Sequence, residues 1–221
     1  MSDSKKLIEF KVPEPTLRRL PWYLAFAKLV LKQEQLFLSS TQIAKNISVD
    51  ASIVAKDLSY VKISGKTRVG YDVNELVDVL ESFLGFTRSH KAFLFGVGSL
   101  GGALMHDDGL EQFGLDIVAG FDVKYELTGT SINHIPIHHI DRFKELQNQT
   151  GINIGVLTVP VEKAQEVAEF MVAGGIQAIW NFTPYRIVVP DNIVVQNTSI
   201  YAHLAVMFNR LNALKELDEN Q

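Results

Sequence analysis

The stretch at residues 91–104, KAFLFGVGSLGGAL, decides the fold class of this 221-residue chain. Its first five residues form a short and mostly apolar run, which is typical of a buried parallel strand. The next six, Gly96-Val97-Gly98-Ser99-Leu100-Gly101, match the pattern G-x-G-x-x-G, and helix-forming residues follow. A glycine-rich turn between a strand and a helix predicts a parallel α/β domain of the Rossmann type, which binds a dinucleotide.

Each glycine of this pattern has its own predicted task. Gly96 makes the tight turn, Gly98 lets the backbone approach a pyrophosphate, and Gly101 permits close packing of the helix on the strand. A second apolar strand ends at Asp122, 21 residues after Gly101, where a carboxylate accepts hydrogen bonds from the adenosine ribose. Because that carboxylate repels a 2′-phosphate, the pattern favours NAD(H) over NADP(H).

Predicted strands and helices alternate after Asp122. We expect an extended piece at 132–137, strands at 152–159, 176–179, 186–189 and 193–196, and helices at 141–146, 161–173 and 198–217. This alternation implies a parallel sheet with helices on both faces. The helix at 198–217 carries apolar residues at helical spacing, and a monomer would expose that stripe.

The N-terminal part has the pattern of a winged helix-turn-helix. A helix at 17–31 precedes two short helices that are separated by Ser48-Val49-Asp50, with Asp50 as the expected cap of the second. Ile53, Val54 and Leu58 are the expected inner face of that second helix. A short hairpin with a basic turn between Gly65 and Gly70 follows, and the helix at 74–84 is expected to be a stiff connector.

In a winged helix the second helix enters the major groove of DNA. Ser52, Lys56 and Ser59 would then face the DNA, while Lys66 and Arg68 of the basic turn would reach phosphates or the minor groove. Charge supports this expectation, because residues 1–71 carry 12 Lys and Arg against 6 Asp and Glu, whereas residues 72–221 carry 9 against 19. A basic part on an acidic body is typical of a chain with a polyanionic partner.

Composition excludes several classes of protein. With no cysteine, the chain has no disulfide framework, thiolate catalysis or cysteine-ligated metal site. No apolar run is long enough for a membrane span, and residues 1–10 lack the pattern of a secretory signal, so we expect a cytoplasmic protein. His134, His138 and His139 form the one histidine cluster, but no further ligand is spaced to complete a site, so no metal is expected.

Several stretches together resemble Rex, the family of bacterial redox-sensing transcriptional repressors. They run in the same order over nearly the whole chain: VPEPTLRRLPWY (12–23), AKDLSY (55–60), GKTRVGYDV (65–73), GVGSLGGAL (96–104), VAGFDV (118–123), LTVP (157–160), AQEVAEFMVAGGIQAIWNFTP (164–184) and VP (189–190). The resemblance implies a non-enzymatic homodimer that binds operator DNA when NADH is low and releases it when NADH binds. It implies a winged-helix domain at 1–84, an NAD(H)-binding Rossmann domain at 85–197 and a terminal helix at 198–221 that is swapped between subunits.

The resemblance also assigns residues. The pyrophosphate would lie on 96–101 and the ribose on Asp122, while the nicotinamide side would be lined by Thr158, Val159, Pro160, Asn181, Phe182, Thr183 and Pro184. The chain departs from the family's usual Gln-x-Arg-Lys-Asp at 53–57, where it has Ile-Val-Ala-Lys-Asp. It also has Ala25 and Ser199 where some members have an arginine and an aspartate that sense the cofactor.

Two other functions fit the glycine pattern. An NAD-dependent dehydrogenase needs an acid or base beside the nicotinamide, and neither LTVP nor NFTP contains His, Lys, Asp or Glu. A nucleotide- or CoA-binding regulatory module would share the strand, turn and helix but would not bind DNA.

Overall fold

The computed structural model describes residues 12–219, and these divide into two compact units after Arg88. The polar segment at 1–11 and the last two residues, 220–221, lie outside the described residues. No helix between residues 12 and 219 combines the length and the hydrophobicity that a membrane crossing requires.

The first unit contains four helices and a two-stranded sheet. Its elements are α1 (Glu14–Lys32), β1 (Phe37–Leu38), α2 (Ser40–Ile47), α3 (Ala51–Tyr60), β2 (Tyr71–Asp72) and α4 (Val73–Leu84). Ser39 begins α2 with a reciprocal capping box, because its hydroxyl accepts the N–H of Gln42 while the Gln42 side chain accepts the N–H of Ser39. Asp50 stands at the start of α3, but its side chain makes no capping hydrogen bond, so that predicted bond is wrong.

Two further predictions for this unit are corrected. Helix α4 is not a simple connector, because Leu76 and Leu80 are fully buried in the same core as Leu20 of α1. On α3, Val54 and Leu58 are buried as predicted, whereas Ile53 is only partly covered and Asp57 takes an inner position instead.

The predicted hairpin is reduced to a tight turn. Lys66 and Gly70 form an isolated bridge, and the residues after it leave to pair with β1: Phe37 lies opposite Asp72, and Leu38 opposite Tyr71. Gly70 has φ +107°, and a Cβ there would lie 2.7 Å from the Leu38 carbonyl oxygen. The close approach to β1 therefore requires glycine at this position.

The second unit is a seven-stranded sheet with helices on both faces, which confirms the predicted α/β fold. The strands, in the order in which they lie side by side, are β5 (Ser131–Ile132), β6 (Ile135–His139), β4 (Leu115–Asp122), β3 (His90–Phe95), β7 (Ile154–Leu157), β8 (Ala178–Asn181) and β9 (Val194–Asn197). All neighbours are parallel except β5 and β6, which are antiparallel.

The helices of this unit are α5 (Ser99–His106), α6 (Asp108–Gln112), α7 (Phe143–Thr150), α8 (Ala164–Ala173) and α9 (Ile200–Glu219). Alternate residues of β3 serve the two faces of the sheet. Phe93 and Phe95 pack with Phe143 of α7, with ring centroids 6.1 and 4.9 Å apart, while Leu94 packs with Met105 of α5. Both faces of the sheet are therefore covered by apolar side chains, as a parallel sheet requires.

The extended piece expected at 132–137 is two strands, β5 and β6, joined by Asn133 and His134 at positive φ. The strand expected at 186–189 is wrong, because no strand forms there. The N–H of Val188 donates to the side-chain oxygen of Gln165, and the Gln165 amide donates back to the Val188 carbonyl. A side chain of α8 thus takes the backbone bonds that a neighbouring strand would have used.

Candidate functional site

The glycine turn lies at the carboxyl ends of three adjacent strands, β3, β4 and β7. Gly96 has φ +97°, and a Cβ on it would lie 2.9 Å from the backbone of Thr158. At Gly101 a Cβ would lie 2.2 Å from the Gly96 carbonyl oxygen, so the helix sits directly on the turn. Both positions require glycine for the close packing that the sequence pattern predicts.

Gly98 differs from the other two glycines. A Cβ placed there would meet no atom within 4 Å, so its own fold does not demand glycine. The residue stands at the N-terminal end of α5, where unpaired N–H groups favour an anion. Open space over a helix start fits a phosphate group that approaches the backbone closely.

Asp122 ends β4 beside this turn. One carboxylate oxygen accepts the N–H of Val97 at 2.8 Å, and the other accepts the N–H of Lys124 at 3.0 Å. Since each carboxylate oxygen has two lone pairs, acceptor capacity remains for two ribose hydroxyls. The hydrogen bond to the turn itself was not predicted from the sequence.

These residues border a cavity of about 680 Å³, a size typical of cofactor sites. Its lining comes from the ends of the strands and from α8: Phe95, Gly96, Gly98, Phe121, Asp122, Val123, Lys124, Ile140, Thr158, Val159, Pro160, Lys163, Glu166, Val167 and Phe170. Thr158 also braces the glycine turn, because its hydroxyl lies 2.8 Å from the Gly96 carbonyl oxygen. Val97, Ser99 and Leu100 belong to the turn and the first turn of α5 but are not in this lining.

The predicted group Asn181, Phe182, Thr183 and Pro184 is not in this lining either. Asn181 is fully buried and organises its own loop. Its side-chain oxygen accepts the N–H and hydroxyl of Thr183, and its amide donates to the Tyr185 carbonyl and the Asn197 side chain. The group thus lies one strand beyond the cavity, because Asn181 pairs with Leu157 of β7.

Sequence reasoning missed the contribution of α8. Glu166, Val167 and Phe170 lie at helical spacing and place one face of α8 on the cavity, and Lys163 lines it from the position just before the helix. Lys163 pairs with Glu166 at 2.9 Å, and this hydrogen bond raises the pKa of the lysine. The spacing was visible in the sequence, but only the packing of α8 shows which face it turns to the site.

The first unit presents the residues expected to contact DNA. Ser52, Lys56 and Ser59 are exposed on α3, and Lys66 and Arg68 are exposed in the tight turn. The Lys66 ammonium lies 5.3 Å from the centre of the Phe37 ring, a cation–π distance that holds the base of the turn against β1. The five side chains are accessible, and three of them carry positive charge.

The surroundings of the histidine cluster are also defined. His139 lies 2.9 Å from the Asp141 carboxylate, with its ring stacked on Tyr125, while burial lowers the pKa of His138. No group of three or more metal-ligating side chains occurs within residues 12–219.

Two family models match the chain. Residues 87–185 match the one described as "CoA binding domain", and residues 11–59 match "Putative DNA-binding protein N-terminus". The redox-sensing transcriptional repressor Rex of Bacteroides fragilis is 66% identical over 202 residues, which cover 91% of this chain and 92% of that protein. The protein of the same name from Bacteroides thetaiotaomicron is 63% identical over 215 residues, which cover 96% of this chain and 98% of that protein.

Solved structures are similar over both units. The crystal structure of RSP in complex with beta-NAD+ and operator DNA has a TM-score of 0.87 at 29% identity, and the match covers 94% of this chain and 96% of that chain. The structure of RSP in complex with beta-NADH has a TM-score of 0.85 at 29% identity, and the match covers 98% of this chain and 100% of that chain.

Proposed function

The chain belongs to the Rex family of redox-sensing transcriptional repressors, and we propose that it binds operator DNA when NADH is low and releases it when NADH binds. The observation that carries the proposal is the meeting of Gly96, Gly98 and Asp122 in the lining of one cavity of about 680 Å³. RSP, which is similar over nearly the whole chain, has been crystallised with beta-NADH and with beta-NAD+ plus operator DNA. Operator binding would place the working protein in the cytoplasm.

The cavity fits a dinucleotide in its shape and chemistry. The open backbone at Gly98 would hold the pyrophosphate, and the remaining lone pairs of Asp122 would accept the ribose hydroxyls. The apolar side chains of Val123, Ile140 and Phe170 would cover the adenine. Asp122 disfavours a 2′-phosphate at the same position, so NAD(H) is preferred to NADP(H).

The nicotinamide side is assigned to two loops. Thr158, Val159 and Pro160 line the cavity directly, whereas Asn181, Phe182, Thr183 and Pro184 form the neighbouring loop. Asn181 joins that loop to Asn197, just before α9 begins. A conformational change of the nicotinamide loop would therefore be transmitted through this hydrogen bond to the start of α9.

DNA would be bound by the first unit. Ser52, Lys56 and Ser59 of α3 would face the major groove, and Lys66 and Arg68 would contact phosphates. By linkage, if the DNA-free form binds NADH more tightly than the DNA-bound form, NADH weakens operator binding by the same factor.

We propose further that the working form is a homodimer. Helix α9 exposes a row of apolar side chains that includes Met207 and Leu214, each more than half exposed in the single chain. Such a row needs a partner surface, and exchange of α9 between two subunits would supply one. Two-fold symmetry then matches an operator with two half-sites.

The experiment that tests this function measures operator binding as a function of cofactor. A double-stranded inverted repeat, selected by the protein from a random library with NAD+ present, serves as the probe in fluorescence anisotropy. We expect tight binding with NAD+, release by NADH, and little response to NADPH or CoA. Binding of CoA or another nucleotide, with no double-stranded DNA selected from the library, would favour the alternative nucleotide- or CoA-binding regulatory module. Reduction of NAD+ by alcohols, or oxidation of NADH by ketoacids, would favour a dehydrogenase.

A further inference from the structure

Asp57 is a buried carboxylate in the helix that carries the predicted DNA contacts. Its residue surface is only 2% exposed, although the adjacent Lys56 is exposed. Four hydrogen bonds reach it: the Thr16 hydroxyl at 2.7 Å, the Arg19 Nε and Nη2 at 2.7 and 2.9 Å, and the Tyr23 hydroxyl at 2.6 Å. Each carboxylate oxygen therefore accepts two of them.

All of these donors come from one face of α1. Thr16, Arg19 and Tyr23 are spaced by three and four residues, which places them one above another on a helix. Burial alone would raise the pKa of Asp57, but the hydrogen bonds from Arg19, Tyr23 and Thr16 outweigh it and hold the pKa below its usual value. The carboxylate thus stays ionised while it is enclosed.

Apolar contacts attach α3 to the core, whereas the hydrogen bonds of Asp57 fix its orientation. Val54 and Leu58 bury the inner side of the helix, but such contacts are non-directional and tolerate small rotations. A bidentate arginine–carboxylate pair fixes both the distance and the plane of its partners. Stability alone does not explain why such a pair is present, since an apolar replacement of a whole buried ion pair is often neutral or stabilising.

We propose that Asp57 is a positioning residue, which sets the rotation of α3 on α1 and so directs the neighbouring Lys56 and Ser52 toward DNA. This inference rests on the proposed function, because it concerns how the DNA-binding surface is held. Asp57 itself, enclosed by α1, does not contact DNA. Its effect is on the geometry of the residues beside it.

The test compares Asp57→Asn with Asp50→Asn in the full-length protein. Both changes remove one negative charge from the α3 region, but Asp50 is exposed and its side chain makes no capping hydrogen bond. We expect Asp57→Asn to weaken operator binding on the order of tenfold, the scale of one lost base contact, and to reduce the ratio of operator to random-DNA affinity. Asp50→Asn should leave that ratio unchanged.

A double-mutant cycle separates positioning from loss of folded protein. If Asp57 aims Lys56, then Lys56→Ala costs less in the Asp57→Asn background than in the wild type. Additive effects of the two substitutions, or an unchanged operator ratio in folded Asp57→Asn, would overturn the inference. If Asp57→Asn does not fold, Tyr23→Phe removes a single hydrogen bond from the same carboxylate. A reduced ratio of operator to random-DNA affinity in that variant would support the inference, and an unchanged ratio would overturn it. A wild-type protein that binds no double-stranded DNA would overturn the proposed function, and this inference with it.

Discussion

The Asp122 carboxylate accepts a 2.8 Å hydrogen bond from the backbone N–H of Val97, which ties the end of β4 to the second residue of the glycine turn. The two segments are 25 residues apart in the chain. The same side chain is therefore assigned two tasks, to hold the turn in place and to accept the ribose hydroxyls. Substitutions at Asp122 separate these tasks only if the length of the side chain is kept.

We expect Asp122→Ala to weaken NADH binding by about 1.5–3 kcal/mol, the usual cost of losing a hydrogen bond to a charged group. Asp122→Asn keeps one acceptor for Val97 and should lose less affinity for NADH while improving the affinity for NADPH. Isothermal titration of both cofactors measures this. Asp116→Ala, on the same strand but outside the cavity lining, is the control. Wild-type protein that binds NADH and NADPH equally would contradict the assignment of Asp122.

Gly98 and Gly101 should respond differently to alanine. Gly98→Ala should fold normally, because its Cβ meets no atom within 4 Å, but it should bind NADH at least roughly tenfold more weakly, since a methyl group would occupy the phosphate position. Gly101→Ala should destabilise the second unit itself, because its Cβ would lie 2.2 Å from the Gly96 carbonyl oxygen. Gly102→Ala, whose nearest atom is at 3.5 Å, is the matched control. Thermal unfolding and NADH titration distinguish the three, and a Gly98→Ala variant with wild-type affinity would exclude that position from the phosphate site.

The glycine turn and Asp122 were predictable because a short local pattern and a fixed spacing define them. The role of α8 in the cavity was not, since the spacing of Lys163, Glu166 and Phe170 fits any amphipathic helix and only tertiary packing selects the face. The strand predicted at 186–189 failed for a similar reason, because the side chain of Gln165 bonds the backbone there. Propensity is a local signal, and a distant side chain can override it.

In the N-terminal unit, the burial of Asp57 was likewise not predictable from the neighbouring sequence. In the sequence this aspartate sits between a lysine and a leucine, within a helix expected to face DNA, and nothing nearby marks it as buried. Its partners are 34 to 41 residues away on α1. The helices themselves were predicted from periodicity and turn residues, as the predicted break at Ser48-Val49-Asp50 between α2 and α3 shows.

The tight turn should contribute to DNA affinity through charge. Lys66→Ala and Arg68→Ala should each lower affinity for all DNA sequences and reduce the slope of log affinity against log salt by about one, if each side chain neutralises one phosphate. Lys144→Ala, an exposed lysine on α7 of the second unit, is the control. Anisotropy titrations at several salt concentrations give the slope. An unchanged slope in both variants would remove the turn from the DNA interface.

The Asp57 network should make the first unit sensitive to acid. Its folded pKa is lowered, so the unfolded chain takes up the proton first as the pH falls. The stabilisation is therefore complete above the unfolded value of about 3.9 and is lost as the pH falls through the folded pKa. Trp22 is the reporter of this unit once Trp180→Phe has silenced the other tryptophan. We expect unfolding followed by Trp22 fluorescence to show a loss of stability below about pH 4, and this loss should be smaller in Asp57→Asn. Equal acid sensitivity of the two proteins would contradict the assigned pKa direction.

Helix α9 should hold the dimer. Ile200, Leu204, Met207, Leu211 and Leu214 recur at intervals of four and three, and every one of them is at least 36% exposed in the single chain. That spacing forms one seam, which a partner surface covers in paired helices. We expect Leu204→Asp combined with Leu211→Asp to convert the dimer to a monomer by light scattering and to abolish release of DNA by NADH.

Asn209→Asp adds a like charge on the opposite side of α9 and should change neither property. A truncation after Ser199 is the cleaner deletion, because Asn197 and Thr198 still bond Asn181 and Trp180 and so keep β9 in place. The truncated protein should behave like the double substitution. Its affinity for NADH should fall only by the amount that the partner subunit contributes to the cofactor site. If the truncated protein remained a dimer and NADH still released it from DNA, the subunit contact would have to lie elsewhere on the chain, and α9 would have no part in the switch.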